Sequence, residues 1–315
     1  MPEDDEDTGG ESMNKVLILT DGKAGHENQS KAFARALGCE FDLAEVHFKS
    51  KFHKALSYIL DQIGIRTLSL VSPPPPAPVA YSAVIGTGSG TFYAAKALAR
   101  RLGVKCGVVL YPRGYDVSTF DCILAPAFDR PKTADNVIEM PANLVANDED
   151  FYANGVAAFR ERTAVVPEIA VIVGGPNKCS TMTAEWMKTQ LDAIFKVPGA
   201  KAVTTSRRTP PEVEALVDSY PWDYKLIYSK DHFNPIPAFV KLAKKLYVTA
   251  ESTGMLSEAC TFGAAEVVAL DNLNPGPHKF RRFVEALRQR GYVDGSRKVD
   301  LTEQFARAKR LMMTR

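Results

Sequence analysis

The chain has 315 residues, enough for one large or two ordinary domains. Its 45% hydrophobic and 24% charged content excludes a disordered or fibrous protein, and a formal net charge of +2 excludes a general electrostatic bias toward nucleic acid, so any anion site must be local. Five cysteines without CxxC spacing or accompanying histidines argue against both a zinc site and a disulfide framework.

Residues 1–13 are acidic and carry no periodic apolar pattern, so a solvated, disordered tail is expected, with Met13 as an alternative start. No signal-peptide pattern follows, and the apolar runs are too short or too interrupted to span a bilayer; the cytoplasm is the expected compartment. "KVLILT" (Lys15–Thr20) predicts a buried strand, followed by the polar turn "DGKAGHENQS" and a helix over about Asn28–Leu37. Asp21, Lys23, His26 and Asn28 either reverse the chain and cap that helix or rim a site. "FKSKFHKALSYILDQIGIRTLSLV" (Phe48–Val71) joins basic residues to a long apolar face. The commoner fate of such a segment is a core helix plus loop. The other is a peripheral contact with the inner membrane, or a surface for a lipid-linked substrate. "SPPPPAP" (Ser72–Pro78) predicts a stiff polyproline connector.

"YSAVIGT" (Tyr81–Thr87), a helix over Thr91–Leu102, "KCGVVLY" (Lys105–Tyr111) and "FDCILAP" (Phe120–Pro126) continue the alternation. It restarts at "EIAVIVGG" (Glu168–Gly175) and runs through "AKAVTTS", "YKLIYS", "KKLYVTA" and "AEVVAL", with helices at about Thr183–Phe195, Pro210–Ser219 and Gly254–Phe262. Continuous Val/Ile/Leu runs separated by helices require parallel sheets covered on both faces. The expected fold is therefore α/β, with two Rossmann-like, doubly wound domains facing across a cleft. The first takes residues 14–160 and the second 166–290; residues 291–315 include a final helix that packs back on the first.

Ligands of such sheets bind outside the strand carboxyl ends. In the second half, Gly174 and Gly175 would let a phosphate or nucleobase approach the backbone, and Arg207 and Arg208 stand at a helix entrance as a diphosphate clamp. "SKDHFNP" holds Asn234, and "TAESTGMLSEA" opens a helix with Glu251, Ser252 and Thr253, then Ser257 and Glu258. Each alone also fits a tight turn, a solvated charge pair or a helix cap; their recurrence at successive strand ends favours an anion site. In the first half, "GTGSGT" places Gly86, Gly88 and Ser89 after a strand, and "YPRGYD" places Arg113 after another. Neither a Walker loop, a G-x-G-x-x-G fingerprint nor a G-x-S-x-G elbow is matched.

"DGKAGHENQS", "SRRTPP" and "FNP…TAESTGMLSEA", with weaker support from "GTGSG", "YPRG" and "PAFDRP", resemble the bacterial branch of the mitochondrial-fission family, proteins similar to GT-B glycosyltransferases. That resemblance implies a donor domain that holds a nucleotide-diphosphate sugar without an obligatory metal or cofactor, and an acceptor domain before it. Carried over, Arg207, Arg208, Ser252, Thr253 and Ser257 would face the diphosphate, Glu258 the ribose or sugar hydroxyls, and Gly174 and Gly175 the donor. Lys23, Asn28, Gly86, Gly88, Ser89 and Arg113 would lie on the acceptor side, with Asp21 and His26 the candidates for the base. The likeness departs at "GTGSGT", which lacks the basic residues expected after its second glycine. The implied function is sugar transfer to a cell-envelope glycan or glycolipid. Alternatives are a non-enzymatic scaffold that recruits partners, and a nucleotide-sugar epimerase or hydrolase.

Overall fold

The computed structural model describes residues 15–73 and 80–314; the tail expected over 1–13 and most of the polyproline connector lie outside the described residues. The chain begins β1 (Lys15–Thr20), α1 (Ala24–Leu37), β2 (Glu40–Glu45), β3 (His47–Phe48), α2 (Lys51–Gln62) and β4 (Val71–Ser72). It continues β5 (Ala83–Thr87), α3 (Phe92–Leu102), β6 (Lys105–Val109), β7 (Cys122–Pro126) and β8 (Val137–Met140). The six-stranded sheet has the order β2-β1-β5-β6-β7-β8, with parallel pairing from β2 through β7. Val16–Leu19 and Ala83–Ile85 are sealed from solvent, which explains their unbroken apolar sequence. Winding runs outward from β1 to β2 and then returns past β1 to β5, so the topological switch lies between β1 and β5.

The second set runs α4 (Glu149–Arg162), β9 (Ile169–Ile172), α5 (Ala184–Ile194), β10 (Lys201–Thr204), α6 (Pro211–Ser219), β11 (Tyr224–Leu226) and α7 (Ile236–Leu242). Then come β12 (Lys245–Thr249), α8 (Thr253–Phe262), β13 (Glu266–Leu270), α9 (Lys279–Gln289) and α10 (Thr302–Met313). Its sheet is parallel, ordered β11-β10-β9-β12-β13, and switches between β9 and β12.

Two compact units result. The first runs to Leu124 and adds Ala134–Ile138 and the chain from Phe305 onward; the second is Ala125–Thr133 with Glu139–Gln304. This differs from a division at 160/166, because α4 packs in the second unit. There Tyr152 stacks on Phe262 at 4.7 Å, and Phe159 meets Tyr224 and Phe239 edge-on. Gly155 is required for the close approach of α4 to α7, since a Cβ there would sit 2.5 Å from Pro237 Cβ. In the first unit, Met312 of α10 and Phe33 of α1 both press on Gly107, where a Cβ would meet each within 2.9 Å.

α2 corrects the core-helix expectation, for it is polar inward and apolar outward. Its buried residues are Ser57 and Asp61, while Phe52 and Ile59 are 71% and 62% exposed. The cause is α3. Its buried Lys96 needs a counter-ion, and Asp61 answers at 2.8 and 3.0 Å while also taking Arg66 at 3.3 Å and the Asp116 N–H at 2.6 Å. Ser57, one turn earlier, bonds the Tyr115 hydroxyl at 2.9 Å. Burial pushes the Lys96 ammonium down, and the Asp61 bond and charge oppose that shift. Asp61→Ala should therefore cost about 3–5 kcal/mol in urea denaturation, because it strands two buried cations; a loss below about 1 kcal/mol would contradict this account.

Candidate functional site

In the first unit the polar residues collect at the switch point. Gly22 turns the chain after β1 with φ 77°, and the Asp21 carboxylate behind it receives the Lys23 ammonium and His26 Nδ1, the latter at 3.0 and 3.1 Å. Burial of Asp21 raises its pKa, but the Lys23 hydrogen bond and the charge and hydrogen bond of His26 outweigh burial and hold it below the usual range. An ionised carboxylate only accepts, so the proton between the two belongs to Nδ1. Nε2 of a neutral His26 is then the basic nitrogen, and it has no hydrogen-bond partner among the described residues.

The loop after β5 closes over this dyad. A Cβ at Gly88, where φ is 82°, would lie 2.5 Å from His26 Cε1, and one at Gly90 would lie 2.8 Å from Asp21 Oδ2. The glycine spacing in "GTGSG" thus serves the Asp21–His26 pair directly. Ser30 of α1 ties to Thr87 at 2.6 Å, so it bonds the strand end and does not cap the helix. Asn28 is exposed inside α1, which begins at Ala24 with no side-chain cap, so the capping expectation for Asn28 is replaced. Lys54 of α2 reaches Ser89 with its ammonium at 2.8 Å. The basic group that the loop's own sequence lacks arrives from another helix. Arg113, after β6, is exposed with its guanidinium over the Tyr111 ring.

In the second unit three adjacent strand ends interlock. The Gly174 N–H donates to Thr249 Oγ1 at 2.9 Å, and Thr209 Oγ1 donates to the Gly174 carbonyl at 2.6 Å. Side chains at either glycine are excluded: a Cβ would fall 2.2 Å from Glu251 Oε1 at Gly174 and 2.2 Å from the Arg208 carbonyl oxygen at Gly175. Arg207 and Arg208 are exposed beside this pair, and neither guanidinium has a protein acceptor among the described residues. Ser252 sits at the N-cap of α8 with no hydrogen bond from its side chain to the first turn, and a Cβ on Gly254 would meet nothing within 4 Å. The helix therefore presents open N–H groups at its positive end.

Glu251 is 3% exposed; its Oε1 accepts from Thr249 at 3.0 Å, and among the described residues its Oε2 is buried without a partner at hydrogen-bond distance, as are both amide atoms of Asn272 after β13. Burial pushes the Glu251 carboxyl up, and the opposing hydrogen bonds are weaker.

The sequence of the family described as Mitochondrial fission ELM1 matches residues 24–311. The chain belongs to that family. Mitochondrial fission protein ELM1 of Arabidopsis thaliana is 25% identical over 242 residues, 67% of this chain and 56% of that relative, so the chain spans little more than half the relative's length. In fold, this ELM1-family chain is similar to Arabidopsis thaliana UGT89C1 complexed with UDP-L-rhamnose, with a TM-score of 0.56 and 11% identity over 96% of this chain and 89% of that one. It is also similar to a Listeria monocytogenes protein described as a UDP-N-acetylglucosamine 2-epimerase, with a TM-score of 0.53 and 11% identity over 96% and 92% of the two chains. At such identity the likeness concerns the fold, the paired Rossmann-like units of the GT-B type.

Within the ELM1-family chain the expected site residues divide. Gly174, Gly175, Arg207, Arg208, Ser252 and Thr253 gather at the ends of β9, β10 and β12. Ser257 is engaged elsewhere, donating to the Thr253 carbonyl at 2.8 Å and accepting from the Asn143 N–H at 3.1 Å. Glu258 accepts from the Tyr152 hydroxyl at 2.9 Å and from Asn147 at 3.5 Å; its burial pushes its pKa up. Asn234 accepts from the Ile236 N–H at 3.2 Å, two residues before the first residue of α7. Sequence reasoning missed Thr209, Thr249, Asn272 and Lys54 as site residues. Only Lys54 carried a clear signal: positions 54, 57 and 61 share one helical face.

An acid held above its ordinary value binds its proton in the folded chain at a pH where the unfolded chain has lost it, so stability falls as pH rises through that window. Glu251→Gln removes this cost. The variant should melt higher than the parent at pH about 7, and the advantage should vanish as pH falls below the ordinary glutamate value of 4.5. A pH-independent difference in melting temperature would refute the assignment.

Proposed function

We propose that this chain is a glycosyltransferase that uses a nucleotide-diphosphate sugar, with a cell-envelope glycan or glycolipid as acceptor. One observation carries the proposal: at the switch point of the second sheet, two side-chain-free residues, two exposed guanidiniums without a protein acceptor among the described residues and a helix N-terminus without a side-chain cap come together. A diphosphate is the ligand whose charge and size that combination suits. Arg207, Arg208 and the first N–H groups of α8 would bind it, and their hold strengthens as the leaving group gains charge. Burial shifts the Glu251 carboxyl beneath Gly174 toward its neutral form, which lessens its repulsion of an anion. That fold neighbours are complexed with UDP or UDP-L-rhamnose supports a uridine donor.

The first unit supplies the base. The acceptor hydroxyl oxygen bonds to the anomeric carbon as the anomeric carbon–phosphate oxygen bond breaks. The hydroxyl proton passes to Nε2 of His26, the Asp21 carboxylate stabilises the imidazolium through Nδ1–H, and the nucleoside diphosphate departs. Lys23, bonded to Asp21, keeps that carboxylate ionised. No step requires a metal or a cofactor. The epimerase likeness favours a second reading, in which donor alone is converted. The fission protein among the relatives favours a third, a non-enzymatic scaffold that recruits partners.

Calorimetry and thermal shift against UDP-, GDP-, CMP- and ADP-sugars test the proposal, since a ligand at 100 times its Kd stabilises the fold by about 2.7 kcal/mol. Arg207→Ala with Arg208→Ala should weaken nucleoside-diphosphate binding by about 10- to 100-fold. His26→Ala should leave that affinity unchanged and cut transfer by about 10²- to 10⁴-fold. Silence toward every donor overturns the proposal, and product from donor alone replaces it with the epimerase reading.

A further inference from the structure

Among the described residues seven large hydrophobic side chains are exposed, and four of them, Phe52, Ile59, Ile63 and Ile65, fall within α2 and the turn after it. Phe52, Ile59 and Ile63 stand at i, i+7 and i+11, a single stripe along the helix, with the exposed Ala55 between them. This exposure is not fraying. The opposite face is held by the Asp61–Lys96–Arg66 cluster, by Ser57 on Tyr115, by Tyr58 stacked on Tyr115 at 4.4 Å and by Gln62 on the Gly114 carbonyl. The helix is pinned with its apolar side outward.

Charge says what covers it. Lys49 and Lys51 are exposed at the start of the stripe. From 46 to 73 the sequence has one acidic residue, Asp61, and it is buried and neutralised. An apolar stripe flanked by lysines, with no exposed acid, is complementary to an anionic bilayer surface. Among the described residues no helix is long and apolar enough to cross a membrane, so the contact is one of lying on the surface. A second copy fits less well: one helical stripe falls far short of the roughly 20–30 residues a side of a stable interface.

We propose that the outer face of α2 docks the first unit on an anionic membrane, and that the same helix sets the acceptor loop beside the lipid. Lys54 reaches inward to Ser89, next to Gly88 and its His26 contact, so about one helix diameter, roughly 10 Å, separates the lipid-facing stripe from the loop. The docking stands alone; the selection of a lipid-linked acceptor rests on the transfer reading above.

The full-length chain is sedimented with phosphatidylcholine vesicles and with vesicles containing phosphatidylglycerol. Enrichment on the anionic vesicles that falls with added salt is expected. Lys49→Ala and Lys51→Ala should each reduce it about fivefold, and Phe52→Asp with Ile59→Asp about tenfold or more. Circular dichroism melts check that these surface variants fold. The aspartate variant should keep the parent's response to nucleotide sugars, which separates failure of docking from failure of the transfer reading. No enrichment on either vesicle overturns the proposal. So does a dimer that the aspartate variant converts to monomer, which would make the stripe a self-contact.

Discussion

A parallel sheet buried on both faces has no room for polar side chains along its strands, so its chemistry is confined to the loops at the carboxyl ends. Both units obey this constraint in the same way. In each sheet the first strand winds outward and then returns to its other side, leaving two neighbouring strands whose loops leave toward opposite faces. Asp21 and His26 follow β1 and the glycine loop follows β5; Gly174 and Gly175 follow β9 and Glu251 follows β12. The two polar clusters are the two switch points.

Glycine does different work at the two places. In the second unit, Gly174 and Gly175 are flanked by the Glu251 carboxyl and the Arg208 backbone, so no side chain fits and the strand end stays low. In the first, Gly88 and Gly90 make space for the protein's own imidazole and carboxylate. A glycine-rich loop after a strand invites a phosphate reading, yet here the contact atoms belong to the Asp21 carboxylate and the His26 imidazole. Only the coordinates separate these cases, because both need backbone to approach a bulky neighbour.

What the sequence disclosed follows from burial. β1, β5, β6, β9, β10, β12 and β13 are apolar runs whose period is erased by cover on both faces, and each is apparent from residue type alone. β2, "EFDLAE", lies at the sheet edge and is half solvated, so it carries no such run. α4 owes its place to Tyr152, Phe159 and Gly155, which pack on Phe262, Tyr224 and Pro237, residues distant in the sequence. The start of α1 escapes prediction because Asp21, the nearest natural cap, is engaged with His26 and Lys23. The arginine pair, the glycine pair and the dyad were visible as residue types at strand ends. The buried partners Thr209, Thr249 and Asn272 were not, since a threonine or asparagine near a strand end has too many ordinary uses.

The remaining exceptions to local rules are the informative ones. A globular helix turns its apolar side inward, and α2 does the reverse; a buried carboxyl acquires a full set of partners, and Glu251 lacks one. Folded chains tolerate such inversions where something outside the fold completes them. For Glu251 the proposed diphosphate at the neighbouring strand ends is the candidate, and burial shifts the carboxyl toward the neutral form that tolerates an anion. For α2 the missing layer must be apolar toward Phe52 and Ile59 and negative toward Lys49 and Lys51, because the Asp61 cluster prevents the helix from rolling over to hide its own stripe. The same buried ion pair that makes the helix costly to invert therefore keeps its outer face available to a partner.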